Sequence, residues 1–394
     1  MKVLHINTYD TGGAGIASSR IHCALLAEGV ESEILFKNKT QLGKNAHEVW
    51  EELSDILKVK KLAEQKLFDA KQKQLAKKVK IVDELFSNFT SIWDITKSQL
   101  YIEADIIHLH WVAGFVDIAS FFKQCNKPIV WTLHDFAPFN NGLHYPTPEE
   151  KVYEEDAIKN KAIIEEALKH ASPIIVTPSN YLKTQSLNSE TFKNLKHLHI
   201  PNPINSTTFY FKNKDLAKAE LNVLKEKKLL VFAADELSYT RKGFKYLLKA
   251  LNELNNNNIH CIVIGNEHKL KRIDNIQLEF TGHLKSNEKL CKIYNAADLL
   301  VVPSLNDNLP NIIVESLCCG TPVVAFNVGG IPEMIVDNEN GFLSEEINSS
   351  SLAKNISKAL NHSWNYKEIA QVALKKYSPA TAANKYIEVY KECL

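Results

Sequence analysis

"DLLVVPSLNDNLPNIIVESLCCGTPVVAF", Asp298 to Phe326, reads as strand, turn, helix, turn, strand. "DLLVVPS" and "PVVAF" carry short continuous apolar runs, the look of parallel strands covered on both faces. Between them a helix is expected over Asn311–Cys319. Asn308 is placed to cap it, and Pro310 is tolerated in its first turn. Gly320 ends it and Pro322 prevents continuation. Ile312, Ile313, Val314, Leu317 and Cys318 make this helix apolar on most sides, yet Glu315 lies among them. An ionised carboxylate buried without partners is costly. Glu315 therefore needs a protein partner or a polar ligand. Asp307 lies eight residues earlier, about two helical turns, on a similar face. A ribose diol suits a carboxylate on such a wall, and backbone N–H groups from Asn308 onward would face phosphate.

The same alternation runs outward in both directions. "KVLHIN", "SEILF", "DIIHLHW", "PIVWTLH", "PIIVTPS" and "LKHLHI" read as strands before a turn rich in Pro and Asn. "LLVFAA", "HCIVIG" and "IQLEFTG" read as strands after it, separated from the next by helices such as "KGFKYLLKALNEL". The fold class is α/β: two doubly wound domains, 1–200 and 201–375, with a last helix over 376–394. A chain of 394 residues suits two cores better than one.

Bulk composition excludes several classes. The formal net charge is +1, so no global field calls for nucleic acid. Seven cysteines without a C-x-x-C pair argue against a disulfide framework or structural zinc, and for a reducing compartment. No apolar run approaches a membrane-spanning length, and the N-terminal one is too short for a signal peptide. A cytoplasmic protein is expected. Residues 57–86 stand apart: nine lysines lie between Lys58 and Lys80, with Leu75, Val79, Val82 and Phe86 at helical spacing. That is a basic amphipathic helix. It reads as a surface helix with snorkelling lysines, or as a patch over residues 58–80 for an anionic membrane surface at the inner face of the cell membrane.

Three further stretches carry candidate chemistry. "TGGAGIASSR" is a glycine turn between strand and helix, where Gly13 and Gly15 would let backbone approach a phosphate. It is only half of a dinucleotide fingerprint, since Ser18 falls at the third glycine. "HLHW" and "TLHD" place His110 and Trp111, and His134 and Asp135, at the ends of two neighbouring strands, where open α/β sheets bind ligands. The histidines lack the spacing of a helical zinc site, so no metal is assigned. "YTRKGF" puts Arg241 and Lys242 just before a helix, an arrangement suited to a diphosphate.

At this point the residues are recognisable. "PSLNDNLPNIIVESLCCGTPVVAFNVGGIPEMIVDNENGFL" resembles the donor-site signature of glycosyltransferase family 4, the retaining GT-B enzymes. The family's E-x7-E motif stands here as Asp307 and Glu315, and "TGGAG", "HLHW", "TLHD", "RKGF" and "FTGHL" follow in the family's order. The resemblance implies two Rossmann-like domains facing across a cleft, with the last helix returning to the first. It implies a retaining hexosyltransferase-type enzyme acting on a nucleotide-diphosphate-sugar, with no metal or other cofactor. Glu315 would bind the ribose and Asp307 would lie near the donor sugar. Arg241 and Lys242 would hold the diphosphate, helped by the amides of Asn308 and Leu309. Gly13 and Gly15 would approach the donor, and His134 the transferred sugar. His110, Trp111, Asp135 and His144 are acceptor-side candidates, for a saccharide or polyprenyl-linked saccharide in surface polysaccharide synthesis. Three positions depart from the pattern: Asp307 is shorter than the usual Glu, Leu237 replaces an Arg, and "FNNGLHY" replaces a Thr-Gly-Gly-Cys run. An inactive scaffold that binds a sugar, or a nucleotide-sugar epimerase or hydrolase, is the alternative on the same fold.

Overall fold

A computed structural model of the chain describes residues 1–41, 43–266, 276–284 and 286–394. It divides into two compact units, one of Met1–Pro203 with Pro379–Leu394, the other of Ile204–Ser378.

The first unit is built on seven parallel strands: β1 (Lys2–Tyr9), β2 (Glu31–Asn38), β3 (Ala46–Glu48), β4 (Ile106–Leu109), β5 (Ile129–Thr132), β6 (Ile174–Thr177) and β7 (His197–His199). Their order is β3-β2-β1-β4-β5-β6-β7. The order reverses between β1 and β4, whose register pairs His5 with His108. In open α/β sheets such a reversal opens a crevice at the carboxyl ends of the strands. "TGGAG", "HW" and "HD" leave those ends. On one face Leu4, Ile6, Leu109, Trp131 and Phe115 pack into a large core. On the other, Val3, Ile106, Val130 and Val176 are covered by the helices Gly12–Ala27 and Pro379–Cys393 through Ile21, Leu25, Tyr386 and Tyr390.

The second unit has six parallel strands: β8 (Lys228–Glu236), β9 (Ile259–Asn266), β10 (Gln277–Gly282), β11 (Leu299–Val302), β12 (Val323–Phe326) and β13 (Gly341–Ser344). Their order is β10-β9-β8-β11-β12-β13, so the reversal falls between β8 and β11. The turn carrying Arg241 and Lys242 follows β8, and the opening stretch contributes β11, the helix Asn311–Cys318 and β12.

Two strands escape the sequence reading. β3 has three residues and β13 has four, and both are edge strands, too short for an apolar run to register. Two local readings are corrected. The first helix begins at Gly12, so the glycines lie in its first turn rather than in a loop before it. The Asn311–Cys318 helix has Pro310, not Asn308, at its N-cap position.

The basic segment is one helix, Asp55–Val82. Its C-terminal end is anchored, with Leu75, Val79 and Val82 against Phe86, Leu143 and Tyr153. Lys78 pairs with Asp156 at 2.7 Å, and Lys61 donates to Ile92 O at 2.8 Å. Its N-terminal half exposes Ile56, Leu57, Val59, Leu62 and Leu67 beside its lysines. The side chain of Lys80 lies outside the described ones. Among the described residues, no helix is long and apolar enough to cross a membrane.

Candidate functional site

In the second unit the polar residues gather on Asp307. Gly243 follows Lys242 with φ +69°, and a Cβ there would sit 1.7 Å from Pro303 O. The turn after β8 thus lies directly on the loop after β11. Leu305 N–H donates to Arg241 O at 2.8 Å, which fastens the two segments. On the other side Gly330 N–H donates to Asp307 O at 3.0 Å. Gly329, at φ +59°, leaves no room for a Cβ, which would lie 2.1 Å from the same oxygen.

Held this way, Asp307 is buried, and its Oδ2 meets Lys242 Nζ at 2.7 Å and Arg241 Nη1 at 3.8 Å. Arg241 Nη1 also donates to Asn306 O at 3.1 Å. Burial opposes ionisation of Asp307, but the charges of Lys242 and Arg241 outweigh it and hold the carboxyl below its ordinary value. Two cations thus meet one carboxylate, and cations so placed suit an anion. The amide of Asn308 donates to Asp307 Oδ1 at 3.1 Å and is already engaged there. Leu309 is partly buried against the apolar core.

Glu315 is 4% exposed on the helix Asn311–Cys318. Tyr294 OH donates to its Oε2 at 3.5 Å, a long contact.

In the first unit the candidates at the ends of β4 and β5 form two networks. Asp135 Oδ2 accepts from His144 Nδ1 at 2.7 Å and from Trp111 Nε1 at 3.0 Å. Its Oδ1 accepts from Ala137 N–H at 2.9 Å. Burial would raise this carboxyl, but the His144 contact and the Ala137 amide hold it below its ordinary value. A carboxylate only accepts, so His144 donates from Nδ1 and accepts from Ser87 Oγ through Nε2 at 2.7 Å. Asp135 and His144 are thus spent on orienting Trp111. The second network runs through His110, which meets His134 at 3.1 Å and His5 at 2.9 Å. His134 and Trp111 are half-buried, and both line a pocket with His110, Asp135 and His144. Gly13 is exposed at the start of the first helix, whereas Gly15 is buried, with room for no Cβ within 2.5 Å of Tyr9 O.

His5 was not singled out from sequence. Its signal was a histidine inside the apolar strand "KVLHIN", placed by parallel register beside His108. Tyr386 and Tyr390 were also missed, because only the fold brings the last helix to β4 and β5. Among the described residues His5, His108 and His110 are close enough to share an ion. Their ring faces stack instead, His108 on His110 at 4.2 Å, and both nitrogens of His108 and of His110 are hydrogen-bonded.

The fold, two parallel-sheet α/β domains, is that of GT-B glycosyltransferases. Anabaena HepE in complex with UDP and glucose superposes with a TM-score of 0.68 at 18% identity, over 99% of each chain. Residues 213–377, which hold Arg241, Lys242, Asp307 and Glu315, match the family described as "Glycosyl transferases group 1". Among relatives, an uncharacterised glycosyltransferase of Methanocaldococcus jannaschii is 27% identical, covering 73% of this chain and 75% of its own. The D-inositol 3-phosphate glycosyltransferase of an Arthrobacter strain is 27% identical, covering 85% of this chain and 78% of its own.

Proposed function

We propose that the chain is a retaining glycosyltransferase that moves a sugar from a nucleotide-diphosphate-sugar to a hydroxyl of a saccharide or lipid-linked saccharide. The observation that carries this reading is the cluster of Lys242 and Arg241 on Asp307, inside the segment that matches the group 1 family. Lys242 and Arg241 turn from Asp307 to the diphosphate and stabilise the charge that builds as it leaves. Glu315 takes the ribose hydroxyls. His134 and Gly13 of the first unit keep the roles that the family resemblance implies, toward the transferred sugar and the phosphates.

In the reaction the bond from the anomeric carbon to the phosphate oxygen breaks, and one to the acceptor oxygen forms on the same face. The acceptor proton passes to the departing diphosphate, so no protein base is required. Lysine and arginine do the electrostatic work a metal would otherwise do. UDP-sugars are the first donors to try, since HepE is found with UDP and glucose. The lysine-rich helix favours an acceptor at an anionic membrane surface, as in surface polysaccharide synthesis.

The test is thermal stabilisation by UDP, GDP, ADP and CMP compounds, free and sugar-linked, followed by a transfer assay with the one that binds. A ligand at 100 times its dissociation constant adds about 2.7 kcal/mol. One base should stabilise the wild type and lose its effect in Glu315→Ala, while Lys242→Ala should bind it and transfer slowly. Equal binding by wild type and Glu315→Ala, or normal turnover by Lys242→Ala, would overturn those assignments.

A further inference from the structure

The sheet face under the last helix is unusual for a core. Where β1, β4 and β5 meet it, the inward residues are His5, His108, His110 and Thr132, and His134 follows at the end. His5 Nδ1 lies 2.9 Å from His110 Nε2, and His110 Nδ1 lies 3.1 Å from His134 Nε2. Three rings therefore form one chain, from the sheet interior to the half-buried His134.

Every ring in it is neutral. Burial pushes the His5 and His110 imidazoles well below their ordinary value and His134 down to about 4. A neutral imidazole carries one N–H and one lone pair, so the chain has only two proton arrangements. In one, His5 donates to His110 and His110 donates to His134. In the other, both bonds run the opposite way and His5 carries its proton on Nε2.

The inner end decides between them. His5 is fully buried, and its Nε2 has no hydrogen-bond partner among the described residues. Its ring neighbours are already committed. His108 is held by Tyr390 OH at 2.6 Å and by Thr132 Oγ1 at 2.7 Å. His22 Nε2 donates to Lys44 O at 2.8 Å, so its Nδ1 accepts from Ser32 Oγ at 2.7 Å. A buried N–H without an acceptor is rarer and costlier than an unused lone pair. The bare lone pair belongs on His5 Nε2.

We infer that His110 is a positioning residue which fixes the tautomer of His134: His134 accepts at Nε2 and carries its proton on Nδ1. Thr132, Tyr386 and Tyr390 hold the neighbouring His108, on which the His110 ring stacks at 4.2 Å. His134 then serves as a neutral hydrogen-bond donor toward a sugar or leaving-group oxygen, not as a base through Nε2. This role rests on the glycosyltransferase reading; the tautomer does not.

The test is a nitrogen NMR spectrum of the full chain labelled at its 14 histidines, with the His134 signals identified by their absence in His134→Gln. At neutral pH, His134 should show a protonated Nδ1 and a bare Nε2, hydrogen-bonded to His110. In His110→Phe it should become a mixture of tautomers. Turnover should fall by roughly 10–100-fold, the scale on which an orienting partner matters, with the KM for donor changed less than about twofold. His110→Asn, whose Nδ2–H stands where Nδ1–H stood, should recover part of the turnover. A proton on His134 Nε2 in the wild type overturns the inference outright, whether or not any variant folds. A wild type that transfers no sugar would sink the functional reading, while the spectrum still decides the tautomer.

Discussion

Asp307 spends its charge on two cations and its backbone oxygen on Gly330, so it acts as the post of the second unit's site. Its carboxyl titrates below its ordinary value because Lys242 and Arg241 outweigh the cost of burial. A folded-state value below the unfolded one contributes stability above the unfolded value, near 3.9, and loses it as pH falls through the lower folded value. Asp307→Asn should therefore cost roughly 2 kcal/mol at pH 7, the scale of a charged buried hydrogen bond. The gap in melting temperature between wild type and variant should shrink from pH 5 toward pH 3. A gap that stays constant over that range would mean that Asp307 is not the ionised partner of Lys242. At this scale the sequence went far with the second unit. Apolar neighbours around Glu315 and cations before Gly243 are local patterns, and the fold had only to set those cations on Asp307. It went less far with the first unit. The partnership of Asp135 with His144, nine residues apart, and of His5 with His110, over a hundred apart, depends on strand order. No spacing rule reads that.

Elements were legible in proportion to their length and burial. The doubly wound pattern could be read because inner strands are short apolar runs between helices, and the edge strands β3 and β13 could not because they are neither. The start of the first helix was misplaced because glycine is a poor helix former. Gly15 stands there for another reason, since the helix turns against the Tyr9 carbonyl and a Cβ would meet it at 2.5 Å. Gly243 makes a sharper case. It combines φ +69° with a Cβ position 1.7 Å from Pro303 O, a backbone atom that has no rotamer to move. Gly243→Ala should lower stability by about 3 kcal/mol or more, from strain and displacement together. It should also weaken nucleotide binding, because the Arg241–Lys242 turn can no longer seat on the β11 loop. Calorimetry with and without the stabilising nucleotide checks both, and an unchanged melting point would refute the close contact. The helix Asp55–Val82 allows a prediction of a different kind. Its N-terminal half shows Ile56 84% exposed and Val59 70% exposed beside the exposed Lys60 and Lys66. If that face meets an anionic bilayer, each lysine contributes about 1 kcal/mol. The double variant Lys60→Ala, Lys66→Ala should then partition roughly 30-fold less into phosphatidylglycerol vesicles. Sedimentation that does not distinguish these vesicles from phosphatidylcholine ones would leave the helix an ordinary solvated surface.

At the scale of the whole chain, the second unit is an insertion in the first. The backbone leaves the first unit at Pro203, builds Ile204–Ser378, and returns for its last helix. That helix cannot be an accessory. Ala382, Ala383, Tyr386, Val389 and Tyr390 are buried with Val3, Ile106, Val130 and Val176, so they cover the centre of the sheet. Losing one large buried aromatic costs about 3–5 kcal/mol, and a domain holds only about 5–15 kcal/mol in all. Two tyrosines with their aliphatic neighbours thus equal the entire margin of the first unit. They also hold the polar half of that face, since Tyr390 hydrogen-bonds His108 and Tyr386 hydrogen-bonds Thr132. A chain ending at Ser378 should therefore lose hydrogen-exchange protection in β1, β4 and β5, while β8, β11 and β12 keep theirs, because no residue of the lost helix belongs to the second unit's cores. Tyr390→Phe separates packing from hydrogen bonding. It keeps the ring and strips His108 of one partner, so it should cost only about 1–3 kcal/mol and leave the unit folded. Full protection of β4 in the truncated chain would show that the sheet does not need this cover, and the histidine row beneath it would then have to be explained without the helix.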